Sequence, residues 1–117
     1  MTKYYLKAIL LENCSYSIKA YDLLKKYKLI KNSIRWVNQS NKEKFKTDNI
    51  QTFPQIYLKQ KKSNIKLLLG GYDELLDIIN TFYNKVISDN DIIKWINKLN
   101  WSKKYLLRLI QLINQNN

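Results

Sequence analysis

The chain has 117 residues, 45% of them hydrophobic and 26% charged, the proportions of one globular domain rather than a disordered chain. It carries no histidine, a single cysteine and a net charge of +12. Histidine triads, imidazole bases, an intrachain disulfide and a Cys-x-x-Cys metal knuckle are therefore excluded, and any chemistry falls to Cys14, carboxylates, lysines, hydroxyls or backbone.

Residues 4–10 form a β-rich, largely apolar run, closed by the polar Glu12-Asn13-Cys14-Ser15. From Ser15 the spacing turns helical through Ile18, Tyr21, Leu24 and Tyr27. Residues 34–37 read as a second strand, and 38–48 as a polar loop or helix anchored by Phe45. After Thr52-Phe53-Pro54, strands are expected over 55–59 and 65–69, joined as a hairpin by a turn at 60–64. Gly70-Gly71, the only two glycines, end the hairpin. Residues 72–87, apolar at 75, 76, 79, 82, 83 and 86, have the pattern of one amphipathic helix. Ser88, Asp89 and Asp91 signal another helix start, with Ile92, Ile93, Trp95, Ile96 and Leu99 on its apolar face. Asn100 breaks that helix, a last one is expected over 101–113, and the terminal Asn-Gln-Asn-Asn is expected to fray.

This order predicts an α/β, thioredoxin-like fold: a four-stranded mixed sheet flanked by helices, with a parallel first pair, an antiparallel hairpin and a C-terminal helical extension. Residues 1–87 are expected to form the main domain. Residues 88–117 should pack on it away from Cys14, because their stripes are too apolar to leave in water. Apolar runs such as Ala8-Ile9-Leu10-Leu11 are far shorter than a membrane span, and no export signal is expected. The 21 basic residues are spread along the chain, and the abundance of Lys, Ile and Asn is also what an AT-rich coding sequence produces. The field draws anions without naming one.

Three short motifs carry chemistry. Cys14 stands where strand meets helix, so unpaired backbone N–H groups and the helix dipole favour its thiolate, with Lys19 adding positive potential. A lone free cysteine is otherwise a small buried hydrophobe, but its polar neighbours predict a surface loop. Pro54, the only proline, either starts an edge strand or follows a cis peptide that offers the Phe53 backbone to an extended ligand. Gly70-Gly71-Tyr72-Asp73 is either a plain turn or a helix start able to hold an anion, with Asp73 available for an ammonium group.

In order, Cys14-Ser15-Tyr16-Ser17, Thr52-Phe53-Pro54-Gln55 and Gly70-Gly71-Tyr72-Asp73 resemble the glutaredoxin family over roughly residues 3–85. The resemblance implies a thioredoxin-like fold, Cys14 as nucleophile and glutathione as co-substrate. It implies that Tyr16 lines the groove, that Phe53 before a cis Pro54 pairs with the cysteinyl backbone of glutathione, and that Tyr72 and Asp73 receive its γ-glutamyl end. Ser17, Lys19, Thr52, Gly70 and Gly71 would support the site. Dithiol members carry a second cysteine where this chain has Ser17, which leaves a monothiol cycle. Ser15 and Tyr16 also depart from the Cys-Gly-Phe-Ser of cluster-binding monothiol members. A family lysine that contacts the glycyl carboxylate is replaced by Leu11, with Lys42 and Lys44 as candidate substitutes, and residues 88–117 have no counterpart.

The expected activity is therefore a glutathione-dependent thiol–disulfide oxidoreductase, a monomer in the reducing cytoplasm that acts on glutathionylated proteins. No resident metal, membrane or nucleic-acid partner is expected. Two alternatives belong to other classes. One is a [2Fe–2S] carrier bridged between two chains by Cys14 and glutathione. The other is a redox-inactive basic adaptor for nucleic acid or an acidic protein, with Trp95 and Trp101 as contacts, although core packing is the plainer use of both.

Overall fold

The computed structural model describes residues 3–29 and 34–115. The order of elements is β1 (Tyr4–Leu11), α1 (Ser15–Lys26), β2 (Ile34–Val37), a 3₁₀ turn (Lys42–Phe45), β3 (Gln55–Gln60), β4 (Lys66–Gly70), α2 (Tyr72–Phe82), α3 (Asp89–Leu99) and α4 (Lys103–Asn114). The sheet runs β2-β1-β3-β4, with β1 parallel to β2 and antiparallel to β3, and β3 antiparallel to β4. This is the thioredoxin-like arrangement, with two further helices at the C-terminus. No helix among the described residues is long and apolar enough to cross a membrane.

Alternation along β1 divides the sheet into two unlike faces. Leu6, Ala8 and Leu10 join Ile56 and Leu58 of β3 and residues from all four helices in one cluster. On the opposite face Ile9, Val37 and Tyr57 form a small cluster, covered by Phe45, Ile50 and Phe53 from the segment between β2 and β3. Helices thus lie on one side, and the other is only partly covered.

Three elements differ from the spacing-based expectation. In α1 the buried residues are Ser17, Ala20 and Leu24, while Ile18 is 46% exposed. Small residues let the helix approach the sheet, which turns Ile18 outward. Helix α2 stops at Phe82, and Val86 is 96% exposed rather than on its apolar face. The stop is made from outside the helix: the Asn114 side chain of α4 donates Nδ2 to the Phe82 carbonyl at 3.1 Å and accepts the Asn84 N–H at 2.8 Å. Asn84 itself lies in the left-handed region, at φ 52°. Asn114 is consequently not frayed, and residues 116–117 lie outside the described residues.

The last two helices share the main core. Trp95, Leu106, Leu109 and Ile113 are buried in the same cluster as Leu10 and Phe82. Ser88 caps α3 by accepting the Asp91 N–H at 3.1 Å, and Asn100, at φ 57°, ends it. Helix α4 begins at Lys103, so Trp101 stands before it, buried at the corner between the two helices.

Candidate functional site

The site is assembled by three chain turns that meet near the end of β1. After Leu11 the chain reverses through Asn13, at φ 61°, a conformation asparagine tolerates. Cys14 follows as the residue capping α1, extended at φ −104° and ψ 121°, and its carbonyl accepts the Ile18 N–H at 3.0 Å. The sulfur makes no capping bond, and the first turn of α1 contains no acidic residue. The half-buried thiol therefore sits beside the unpaired amides that begin a helix, with no carboxylate in that turn to compete. Across from it is the Phe53 carbonyl oxygen, 4.0 Å from Sγ.

Ser17 has a different role from a resolving thiol. It is fully buried, and its Oγ accepts the Leu11 N–H at 2.9 Å, bracing the end of β1 against α1. Leu11, where the resemblance leads one to expect a lysine, packs against the Ile9–Val37–Tyr57 cluster.

The second turn is Thr52-Phe53-Pro54, whose Phe53–Pro54 peptide is cis. The next residue, Gln55, is polar and fully buried. Gln55 Nε2 donates to the Phe45 carbonyl at 2.9 Å, and Oε1 accepts the Tyr57 hydroxyl at the same distance. Burial raises the Tyr57 phenol above its ordinary value. In sequence Gln55 reads as the end of the Thr52–Gln55 block and the first residue of a strand, with no role of its own; the signal for one is an amide followed by three apolar residues, a polar group that burial obliges to find partners.

The third turn is Gly70-Gly71. Gly70 has φ +138°, and a Cβ there would lie 2.6 Å from Cγ of Glu74, so the position requires glycine. Glu74 folds back and accepts the Gly71 N–H at 2.6 Å, capping α2 with the chain's own carboxylate. Glu74 was not singled out by sequence, although a glutamate three residues into a helix is the recognisable part of that cap.

Between these turns lies a groove of about 330 Å³, within the size range of small-ligand sites. Thr52, Phe53 and Pro54 form one wall, Gly71, Tyr72, Asp73 and Glu74 another, and Tyr16 of α1 completes it. The Tyr16 and Tyr72 rings stand 6.1 Å apart, and Lys19 Nζ lies 5.3 Å from the centre of the Tyr16 ring. Tyr16 is 52% exposed, an aromatic edge presented to solvent.

The structure thus brings Cys14, Tyr16, Thr52, Phe53, Pro54, Gly71, Tyr72 and Asp73 together, while Ser17 and Gly70 act through the backbone. Lys42 and Lys44, on the 3₁₀ turn, do not line the groove. Trp95 and Trp101 are 0% and 7% exposed, so neither can serve as a surface contact. Compared with known proteins, the chain matches no family model, no curated protein and no solved structure.

Proposed function

We propose that the chain is a monothiol, glutaredoxin-type oxidoreductase that uses glutathione to reduce protein–glutathione mixed disulfides. The observation that carries the reading is the 4.0 Å approach of Cys14 Sγ to the Phe53 carbonyl, beside a groove walled by the Phe53–Pro54 turn and the start of α2. A thiol at the mouth of a helix and an extended backbone facing it suit attack on a disulfide held by a peptide-like ligand.

The Cys14 thiolate attacks the glutathione sulfur of a glutathionylated protein. A sulfur–sulfur bond forms to Cys14 as the bond to the protein breaks, and the protein leaves as a thiolate that takes a proton from water. A second glutathione thiolate then attacks the glutathione sulfur on Cys14, releasing oxidised glutathione and regenerating the Cys14 thiolate. The net reaction is an exchange: one glutathione thiol is consumed, the protein sulfur leaves as a thiol, and the sulfur–sulfur bond passes from the mixed disulfide to oxidised glutathione. With Ser17 in place of a second thiol, no internal disulfide competes with this cycle.

The groove accounts for binding. Tyr16 and Tyr72 offer apolar walls, and Asp73 at the start of α2 suits the ammonium of the γ-glutamyl group. The amides of that first turn other than Gly71 N–H, which Glu74 takes, suit its carboxylate. Incubation with oxidised glutathione followed by mass spectrometry tests the reading: a single glutathione adduct on Cys14, released by reduced glutathione, is expected. An unmodified Cys14 in the folded protein would overturn it.

A further inference from the structure

The half-covered face of the sheet carries a stripe of cations that the thiol chemistry does not use. Each strand contributes one: Arg35 from β2, Lys7 from β1, Lys59 from β3 and Lys66 from β4. The register sets them on one face, with Arg35 opposite Ile9, Lys7 opposite Tyr57, and Lys59 opposite Lys66. Three steps between strands at about 4.8 Å each, with a two-residue offset along the strands at each of the first two, give a diagonal stripe about 20 Å long. Among the described residues no carboxylate pairs with any of the four; the two ion pairs are Lys46–Glu43 and Lys98–Asp77.

Such an arrangement opposes folding. Like charges directly opposite on neighbouring strands repel, as Lys59 and Lys66 do. Lysines on edge strands protect a sheet from unwanted pairing, which would account for Lys66 and for Arg35 on β2. It does not account for Lys7 and Lys59, which lie on the two central strands. The Lys7 amine is lowered from its ordinary value by burial and then by Lys59, Arg35 and Lys66, the other three cations of the stripe.

Aromatic rings stand among these cations. Lys66 Nζ lies 4.4 Å from the centre of the Tyr57 ring, and Arg35 lies 5.0 Å from that of Phe45. Tyr5, half-exposed, is opposite Lys59 on the same face. A sheet face with a cationic track and a half-exposed ring beside it offers what a single strand of nucleic acid requires: charge for successive phosphates and an aromatic side chain for a base. An acidic protein would use the charge but not the ring.

We propose that this face of the sheet binds single-stranded nucleic acid through its phosphate backbone, along a track formed by Arg35, Lys7, Lys59 and Lys66 beside Tyr5. It is a second site, separate from the groove beside Cys14, and it supplies the contacts that Trp95 and Trp101 cannot.

The probe is a fluorescent oligothymidylate of about twelve nucleotides, followed by anisotropy across a salt titration. The triple variant Lys7→Gln/Lys59→Gln/Lys66→Gln should weaken binding at least about tenfold and flatten the salt slope by about 0.7 for each phosphate no longer neutralised. The control Lys94→Gln/Lys103→Gln/Lys104→Gln removes the same charge from exposed positions of α3 and α4 and should retain affinity within about threefold. Tyr5→Leu should weaken binding without changing the salt slope. Protection of wild-type lysines from acetylation by the same oligonucleotide needs no variant, and Lys7, Lys59 and Lys66 should be shielded in preference to Lys103 and Lys104. Equal losses in the two triple variants, no binding by wild type, or equal competition by polyglutamate would overturn the proposal, the last in favour of an acidic protein partner. None of these measurements involves Cys14, so they stand apart from the thiol reading.

Discussion

Single side chains set the geometry around the thiol, and their roles separate cleanly. Cys14→Ser should remove the glutathione adduct and the exchange activity while leaving the fold intact, because its side chain caps nothing. Ser17→Ala should do the reverse. It strips the acceptor from the Leu11 N–H, a loss of about 1–3 kcal/mol in a denaturant titration, yet Cys14 should still form the adduct. The two glycines divide in the same way. Gly70→Ala places a Cβ against Glu74 at φ +138°, which should lower stability by about 1–3 kcal/mol. At Gly71 an added Cβ meets the Pro54 carbonyl oxygen at 3.5 Å, an ordinary contact, so Gly71→Ala should be nearly neutral.

At the scale of elements, the junction between α2 and α4 decides where α2 ends. Asn114→Leu keeps bulk at that position but leaves the Phe82 carbonyl and the Asn84 N–H without their partner. Thermal unfolding should report a loss of about 1–2 kcal/mol. This contact also marks the limit of what the sequence discloses. Strands were legible from β-rich runs and turn residues, and β1 through β4 fall within a residue of their expected bounds. The end of α2 was not, because apolar residues at 83 and 86 continue the helical period while a partner about thirty residues away terminates it. In α1 the period was legible and the buried face was not, since Ser17 and Ala20 are buried through close approach rather than hydrophobicity. The site follows the same rule. Cys14, Phe53, Pro54, Tyr72 and Asp73 lie in contiguous motifs and could be read directly. Gln55 and Glu74 act through partners fixed only by the fold, at Phe45 and Tyr57 and at Gly71.

The whole molecule carries its charge unevenly, and this has a pH and salt signature. Since the folded chain holds the Lys7 proton less tightly than the unfolded chain, protonated Lys7 opposes folding below its lowered value. That opposition is relieved as pH rises toward the ordinary 10.5. Tyr57 runs the other way: its phenol is raised, so stability falls as pH climbs above 10.0. Near neutrality only the lysine matters. Lys7→Met should therefore raise the melting temperature there, and added salt should stabilise the wild type more than the variant.

The same scale governs the C-terminal helices. Ile92, Trp95, Trp101, Leu106, Leu109, Ile110 and Ile113 are all buried, and they sit in one cluster with Leu6, Leu10 and Phe82 rather than in a core of their own. Fully burying each aliphatic side chain contributes about 1.5–3 kcal/mol, so a few of them equal the roughly 5–15 kcal/mol that typically separates folded from unfolded domains. Removing residues 89–117 would also uncover the helix-facing side of β1 and release the end of α2 that Asn114 holds. Chain truncation after Ser88 should accordingly abolish cooperative thermal unfolding and leave a chain that aggregates or binds a hydrophobic dye. The glutathione adduct on Cys14 should disappear with it, since the groove needs α1, α2 and the Phe53–Pro54 turn held in register by the core. A truncated chain that melts cooperatively as a stable monomer would mean that the first four strands and two helices carry a sufficient core alone. A stable monomer replacing a full-length dimer would instead assign the apolar faces of α3 and α4 to contact between chains.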